Sequence, residues 1–215
     1  MIRSTTAVAA ALLCTTPALA GFANEASYGW EDGGTVMGWF NSGSGVPSFL
    51  NTDAQAYEGS RSLEIIEDPT GGTPQIWVGF VTGLTDGDTV DASFWAFDES
   101  ESSPSVRIWG AYAMSDDITN YMGSAGGNSD YSADTGWSEL GHSWTFDSDV
   151  GGSNEGRNAL VIQVRLYADS DQTPVYIDDL SVATSSETAE ISFAPTPGAL
   201  ALLGVAGLAG RRRRA

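Results

Sequence analysis

Three stretches of this chain set aromatic and hydrogen-bonding side chains at alternate positions. Trp95 and Phe97 recur at a period of two, as do Arg107 and Trp109, and then Gln163, Arg165 and Tyr167. Residues i, i+2 and i+4 of a β-strand share one face, so each set can present one surface. A ring offers an apolar plane to the C–H face of a sugar, while Arg and Gln supply polar groups for its hydroxyls. Trp95, Arg107, Trp109, Gln163, Arg165 and Tyr167 are therefore the candidate ligand-binding residues. Rings at strand spacing also fill cores and cover sheets, a role that suits Trp39, Trp77, Trp137 and Trp144 better.

Catalysis has little support. The single histidine, His142, sits in Gly141-His142-Ser143-Trp144, and no Gly-x-Ser-x-Gly elbow accompanies it. A pair of carboxylates could hydrolyse a glycoside, but no pair stands out among 28 acidic residues. There is no phosphate loop and no zinc-ligand spacing, and the sole cysteine is Cys14. A different signal lies at Asp178-Asp179. Val175 and Ile177 share one parity and Leu180 and Val182 the other, so the alternation breaks at the two aspartates, as a β-bulge requires. Adjacent carboxylates there are costly unless a cation or hydrogen-bond donors meet them; the alternative is an exposed pair at a strand end. The turns around Asp86, Asp147 and Asp169 lack an EF-hand spacing and read as solvent-facing.

The elements that must position these residues are strands. Short runs rich in Val, Ile, Phe, Trp and Tyr alternate with Gly, Asp, Ser and Asn clusters, and no helical period appears between the two ends. The pattern predicts strands over 62–66, 75–81, 89–97, 105–114, 137–146, 159–168 and 175–182, with long loops over 123–134 and 147–158. About eight strands without crossover helices imply an all-β, two-sheet antiparallel β-sandwich of jelly-roll type.

The chain's ends read as targeting signals. Met1-Ile2-Arg3, the apolar run Ala7 to Leu13, and Ala18-Leu19-Ala20 form a secretory signal peptide over 1–20, with signal peptidase cutting between Ala20 and Gly21. The domain then spans 21–184, a polar linker 185–194, and a C-terminal signal 195–215. The apolar run Ala199 to Gly210 is shorter than the roughly 20 residues of a stable span and is followed by Arg211 to Arg214. It suits transient membrane contact, with the arginines on the cytoplasmic side.

Charge narrows the partners. The chain carries −19, and it has no lysine. Arg3 and the four tail arginines lie in the two signals, while no acidic residue does. Between them stand Arg61, Arg107, Arg157 and Arg165 against 28 acidic residues, a formal charge of −24. Such a domain is a poor partner for nucleic acid, whose phosphates need basic neutralisation, or for an anionic membrane.

Two resemblances follow. Pro195-Thr196-Pro197, the apolar run and the arginines resemble the PEP-CTERM sorting signal of exported bacterial proteins, with Thr196 where that motif has Glu. This resemblance implies processing by an exosortase-type protease and delivery to the cell surface or an exopolysaccharide matrix. Within the domain, Tyr28-Gly29-Trp30-Glu31, Glu58-Gly59-Ser60-Arg61-Ser62-Leu63 and Val175 to Val182 follow in order. They resemble landmarks of galactose-binding-like jelly rolls, CenC-type carbohydrate-binding modules among them. That likeness implies a polysaccharide ligand and a structural calcium ion held by Glu31, Gly59, Arg61 and Asp178. The expectation is thus an exported, non-catalytic carbohydrate-binding protein; the alternatives are an acidic matrix protein that binds no sugar and a carbohydrate-active enzyme of the same fold.

Overall fold

Alternation of apolar and polar residues builds two sheets. In 159–167, Leu160, Ile162, Val164 and Leu166 are buried between the sheets, and in 89–98 Val90, Ala92, Phe94 and Ala96 are buried likewise. The computed structural model describes residues 22–41, 48–67, 73–99, 105–128, 135–149, 156–167 and 172–193. The signal peptide with Ala20 and Gly21, and the C-terminal signal with Pro195, Thr196 and Pro197, lie outside the described residues. Among the described residues, no helix is long and apolar enough to cross a membrane.

In chain order the strands are β1 (Asn24–Tyr28), β2 (Gly38–Asn41), β3 (Ser48–Thr52), β4 (Ser62–Ile66), β5 (Pro74–Thr82) and β6 (Thr89–Asp98). They continue with β7 (Ser105–Ala113), β8 (Ser124–Gly127), β9 (Gly136–Thr145), β10 (Ala159–Tyr167), β11 (Val175–Thr184) and β12 (Glu190–Phe193). One sheet, sheet A, has the order β3-β4-β11-β6-β9, with β1 also on β11; the other, sheet B, has the order β12-β5-β10-β7-β8, with β2 also on β5. Every pairing is antiparallel. The architecture is the expected all-β sandwich.

Both sheets use the same device. In sheet A, β11 pairs with β6 along one edge, while its other edge pairs first with β4 through Ile177 and then with β1 from Leu180. In sheet B, β5 pairs with β10 along one edge, and with β2 through Trp77 and then β12 from Gly79 along the other. A bulge marks each change of neighbour: the β11 register slips between Asp178 and Ser181, and Val78 is the extra residue of β5 opposite Ile162 and Gln163. A bulge reverses the alternation and twists the strand, so a long strand can be flanked by two short ones. The phase break at Asp178-Asp179 is therefore the bulge that the residue pattern implied, with Asp179 at φ 49°.

Two segments differ from expectation. The stretch 123–134, read as a loop, contributes β8, whose Ser-Ala-Gly-Gly sequence carries no strand signal but pairs with Trp109 to Ala111 of β7. The stretch 185–194, read as a linker, contributes β12, which pairs with Gly79 to Thr82. Ala189 is buried there, and Ile191 and Phe193 pack on the main core. Polar composition hid three apolar side chains at alternate positions.

Candidate functional site

The outward residues of sheet B form a groove of about 520 Å³. Its floor is Gln163 and Arg165 of β10 with Gln75 and Trp77 of β5. Trp39 and Phe40 of the short strand β2 rise along one side. Ser124 of β8, and Thr119 and Tyr121 of the segment before it, stand on the other. Trp39, Phe40 and Tyr121 are 39%, 52% and 59% exposed, so three rings in one groove are left largely open to solvent.

Local sequence explains how these walls stand. A Cβ on Gly38 would lie 2.3 Å from the Trp77 ring, so the glycine lets that indole lie against β2. The outer face beyond the groove is closed instead, by Ala111, Ala113, Ala159 and Val161 packed with Trp77, Phe80 and Ile118. Thus the segment 114–123 covers one end of the face and leaves the other open.

The polar groups of the floor are pre-set. The Arg165 Nε and Nη2 donate to Gln163 Oε1 at 3.1 and 3.0 Å, and the guanidinium carbon lies 4.5 Å from the Trp109 ring centre. The Trp109 Nε1 donates to Ser124 Oγ at 2.7 Å, which fixes the indole. Arg107 is the cross-strand partner of Arg165 and lies over the Tyr167 ring at 4.0 Å. Burial pushes the Arg165 pKa below its ordinary value, opposed by a hydrogen bond with Tyr167. Stacking a guanidinium on a ring is favourable by about 0.5–2 kcal/mol and holds it in place.

Five of the six candidate ligand residues, Arg107, Trp109, Gln163, Arg165 and Tyr167, therefore share the outer face of sheet B. Trp95 does not. It belongs to β6 in sheet A, on the opposite side of the sandwich. There it is covered by Tyr57, stacked at 4.0 Å and 10°. Parity assigns a residue to one face of its own strand, and cannot say which sheet that strand joins. Conversely, Trp39 and Trp77, read as packing residues, line the groove, and Phe40, Gln75, Thr119 and Tyr121 were not singled out. The one usable signal was the adjacent Trp39-Phe40 pair: neighbours in a strand face opposite ways, so an edge strand exposes at least one. Trp144 is core, as expected, and Trp137 packs with Tyr57 and Phe97 on sheet A.

The residues that the jelly-roll resemblance assigns to calcium come together around the loop 57–61. Trp30 adopts a left-handed φ of 58° with its indole fully buried, leaving the next residue, Glu31, on the surface. The Glu31 Oε1 accepts from the Ser60 and Arg61 amides at 2.8 Å each, and Oε2 accepts from Ser60 Oγ at 2.8 Å. These bonds, the Ser60 amide foremost, hold the Glu31 pKa below the usual carboxylate value. Gly59 is at φ 66°, and a Cβ there would lie 2.4 Å from Glu31 Oε1. From the β11 bulge, the fully buried Asp178 accepts from the Tyr57 and Glu58 amides at 2.8 and 3.1 Å through Oδ2, and from the Asp179 amide at 2.8 Å through Oδ1. Burial raises its pKa, against those three bonds.

This donor set does not fit a calcium ion. Calcium takes six to eight oxygens with lone pairs turned toward it. Here Glu31 Oε1 and Asp178 Oδ2 each meet two N–H groups. Among the described residues, no group of three or more Asp, Glu, His or Cys side chains is placed to hold a metal. The buried member of the pair at the bulge, Asp178, is met by three amide donors.

No family model matches this chain, and no curated protein matches it. Solved structures do. The tandem CBM22-1–CBM22-2 domain of Paenibacillus barcinonensis Xyn10C superposes with a TM-score of 0.51 at 20% identity, over 76% of this chain and 50% of that one. The CBM22-2 xylan-binding domain of the same protein gives 0.48 at 19% identity, over 73% of this chain and 97% of that one. The enzymatically active domain of bacteriophage CBA120 tailspike protein 4 gives 0.48 at 11% identity, over 68% and 19%. At these identities the likeness is one of fold alone: a two-sheet β-sandwich shared with the tandem CBM22 structure.

Proposed function

We propose that this chain is an exported, non-catalytic polysaccharide-binding protein whose ligand lies in the groove of sheet B. The observation that carries the reading is the convergence of Trp39, Phe40 and Tyr121, all exposed, on a floor where Gln163 and Arg165 are already oriented. Exposed rings cost free energy in water unless a ligand covers them. A sugar chain brings apolar ring faces for them and hydroxyls for the amide and guanidinium. Among the described residues the groove lining contains no Asp or Glu, and a glycosidase of this kind would need a pair of them.

Export rests on the residue pattern of the ends: a signal peptide cut at Ala20-Gly21 and the Pro195-Thr196-Pro197 signal, handled by an exosortase-type protease. Its destination is the cell surface or exopolysaccharide matrix. Affinity electrophoresis of the purified chain through gels containing different polysaccharides tests the ligand reading. Retardation by at least one polysaccharide, relieved by Trp39→Ala or Tyr121→Ala, is the expected result. Unretarded migration in every gel overturns it and leaves an acidic matrix protein as the better account.

A further inference from the structure

The groove carries one charged side chain in a domain crowded with the opposite charge. Among the described residues its lining includes Arg165 and no acidic residue, although the sequence has 28 of them and only nine basic ones. The bonded partners of Arg165 are the Gln163 carbonyl oxygen and Tyr167, and its stacking partner is Trp109. No described carboxylate is among them. Arg107 stands directly opposite across the β7–β10 ladder. Like charges at such positions are destabilising, and among the described residues no carboxylate bridges to Arg165 to offset this. A half-buried guanidinium has five N–H donors, and Gln163 uses two of them.

We infer that the groove takes polysaccharides bearing carboxylates, polyuronates by chemical class, with Arg165 receiving a carboxylate of the chain and Arg107 reinforcing the local positive potential. The inference rests on the glycan-binding reading above and specifies its ligand. Arginine supplies the planar fork that a carboxylate matches in a two-point contact. Outside the groove face the domain offers only Arg61 and Arg157 among its acidic residues, while Arg211 to Arg214 of the tail are a rival site for a polyanion; loss of the preference in Arg165→Gln is therefore what assigns it to the groove.

The test compares polygalacturonate with the same polymer fully methyl-esterified, alongside unsubstituted xylan, by titration calorimetry on the purified full-length chain. Polygalacturonate should bind about tenfold or more tightly than its ester, the scale of one charged hydrogen bond. That preference should shrink as salt rises from 0.05 to 0.5 M. Arg165→Gln should remove the preference for acid over ester, whatever it costs in affinity for both. Should that variant fail to fold, the ester and salt comparisons on a chain with Arg211 to Arg214 replaced by Gln still decide. Equal binding of acid and ester, or binding of xylan alone, overturns the carboxylate inference while leaving glycan binding intact. Binding of none of these and no other glycan overturns both.

Discussion

The two outer faces of this sandwich are built from the same kinds of side chain and end in opposite states. On sheet A, Trp95, Trp137, Phe97 and Tyr176 pack against one another, and Tyr57 lies flat on Trp95. The loop that brings Tyr57 there is tied down at both ends of its length by Asp178 and Glu31. On sheet B, Trp39, Phe40 and Tyr121 have no such cover. The difference lies in what the neighbouring loop does. A loop anchored by carboxylate–amide bonds, one set from a buried aspartate and one from a surface glutamate, becomes part of the structure and covers the rings beneath it; an open edge leaves rings for a ligand. Aromatic content alone therefore marks neither face as a binding site.

That contrast can be broken from either side. The largest effect is expected at the clamp. Asp178→Ala orphans the Tyr57 and Glu58 amides and should cost about 2–4 kcal/mol in denaturant unfolding, while glycan affinity of the folded fraction stays within twofold. Gly59→Ala forces a Cβ both into a left-handed backbone and against Glu31, and about 2 kcal/mol of stability should be lost. Next, Trp39→Ala or Tyr121→Ala should weaken polysaccharide binding by about 1–2 kcal/mol each and leave stability within about 0.5 kcal/mol. Trp95→Ala should do the reverse. A loss of binding from Trp95→Ala, measured by calorimetry, would merge the two faces and sink the distinction.

The clamp's two carboxylates should also respond to pH with opposite signs. Glu31 has a folded pKa below its ordinary 4.5, so its contribution is present above that value and is lost as pH falls through the folded pKa. Asp178 has a folded pKa above its ordinary 3.8, so the folded state binds the proton more readily and stability declines as pH rises from 3.8 through the folded value. Melting temperatures from pH 2.5 to 7 should therefore show less acid loss for Glu31→Gln and a flattened decline for Asp178→Asn. The smallest expected effect is that of calcium: adding it or chelating it should shift the melting temperature by less than about 1 °C, because amide donors already meet the carboxylates. A shift of several degrees would show a cation where the bonds now stand.

Much of the sandwich was legible because strand signals are local. The strand at 62–66 is as read, and the six other long strands differ by about one or two residues at their ends. The bulge at Asp178-Asp179 was visible as a change of parity within a single run. Five short strands, β1, β2, β3, β8 and β12, were not read; each spans four or five residues. A run of that length completes at most two periods, and in β8 glycine replaces the side chains that would carry the pattern. These strands exist because a neighbour, longer in every case but β3 beside β4, offers unpaired backbone groups, a fact absent from their own residues.

The binding residues divide along the same line. Alternation within 105–113 and 159–167 put Arg107 and Trp109, and Gln163, Arg165 and Tyr167, on outward faces, and antiparallel pairing of those strands joined them. It also put Trp95 on an outward face, correctly, but of the other sheet. What the chain's residues determined by themselves was composition, charge, strand identity and the parity of each side chain, because these depend on contacts a few residues apart. Only the tertiary structure decided which strands share a sheet, which rings a loop covers, and that both clamp carboxylates face amides. Those outcomes depend on pairings across more than a hundred residues, such as Asp178 with Tyr57, and on the geometry with which two twisted sheets close over one core.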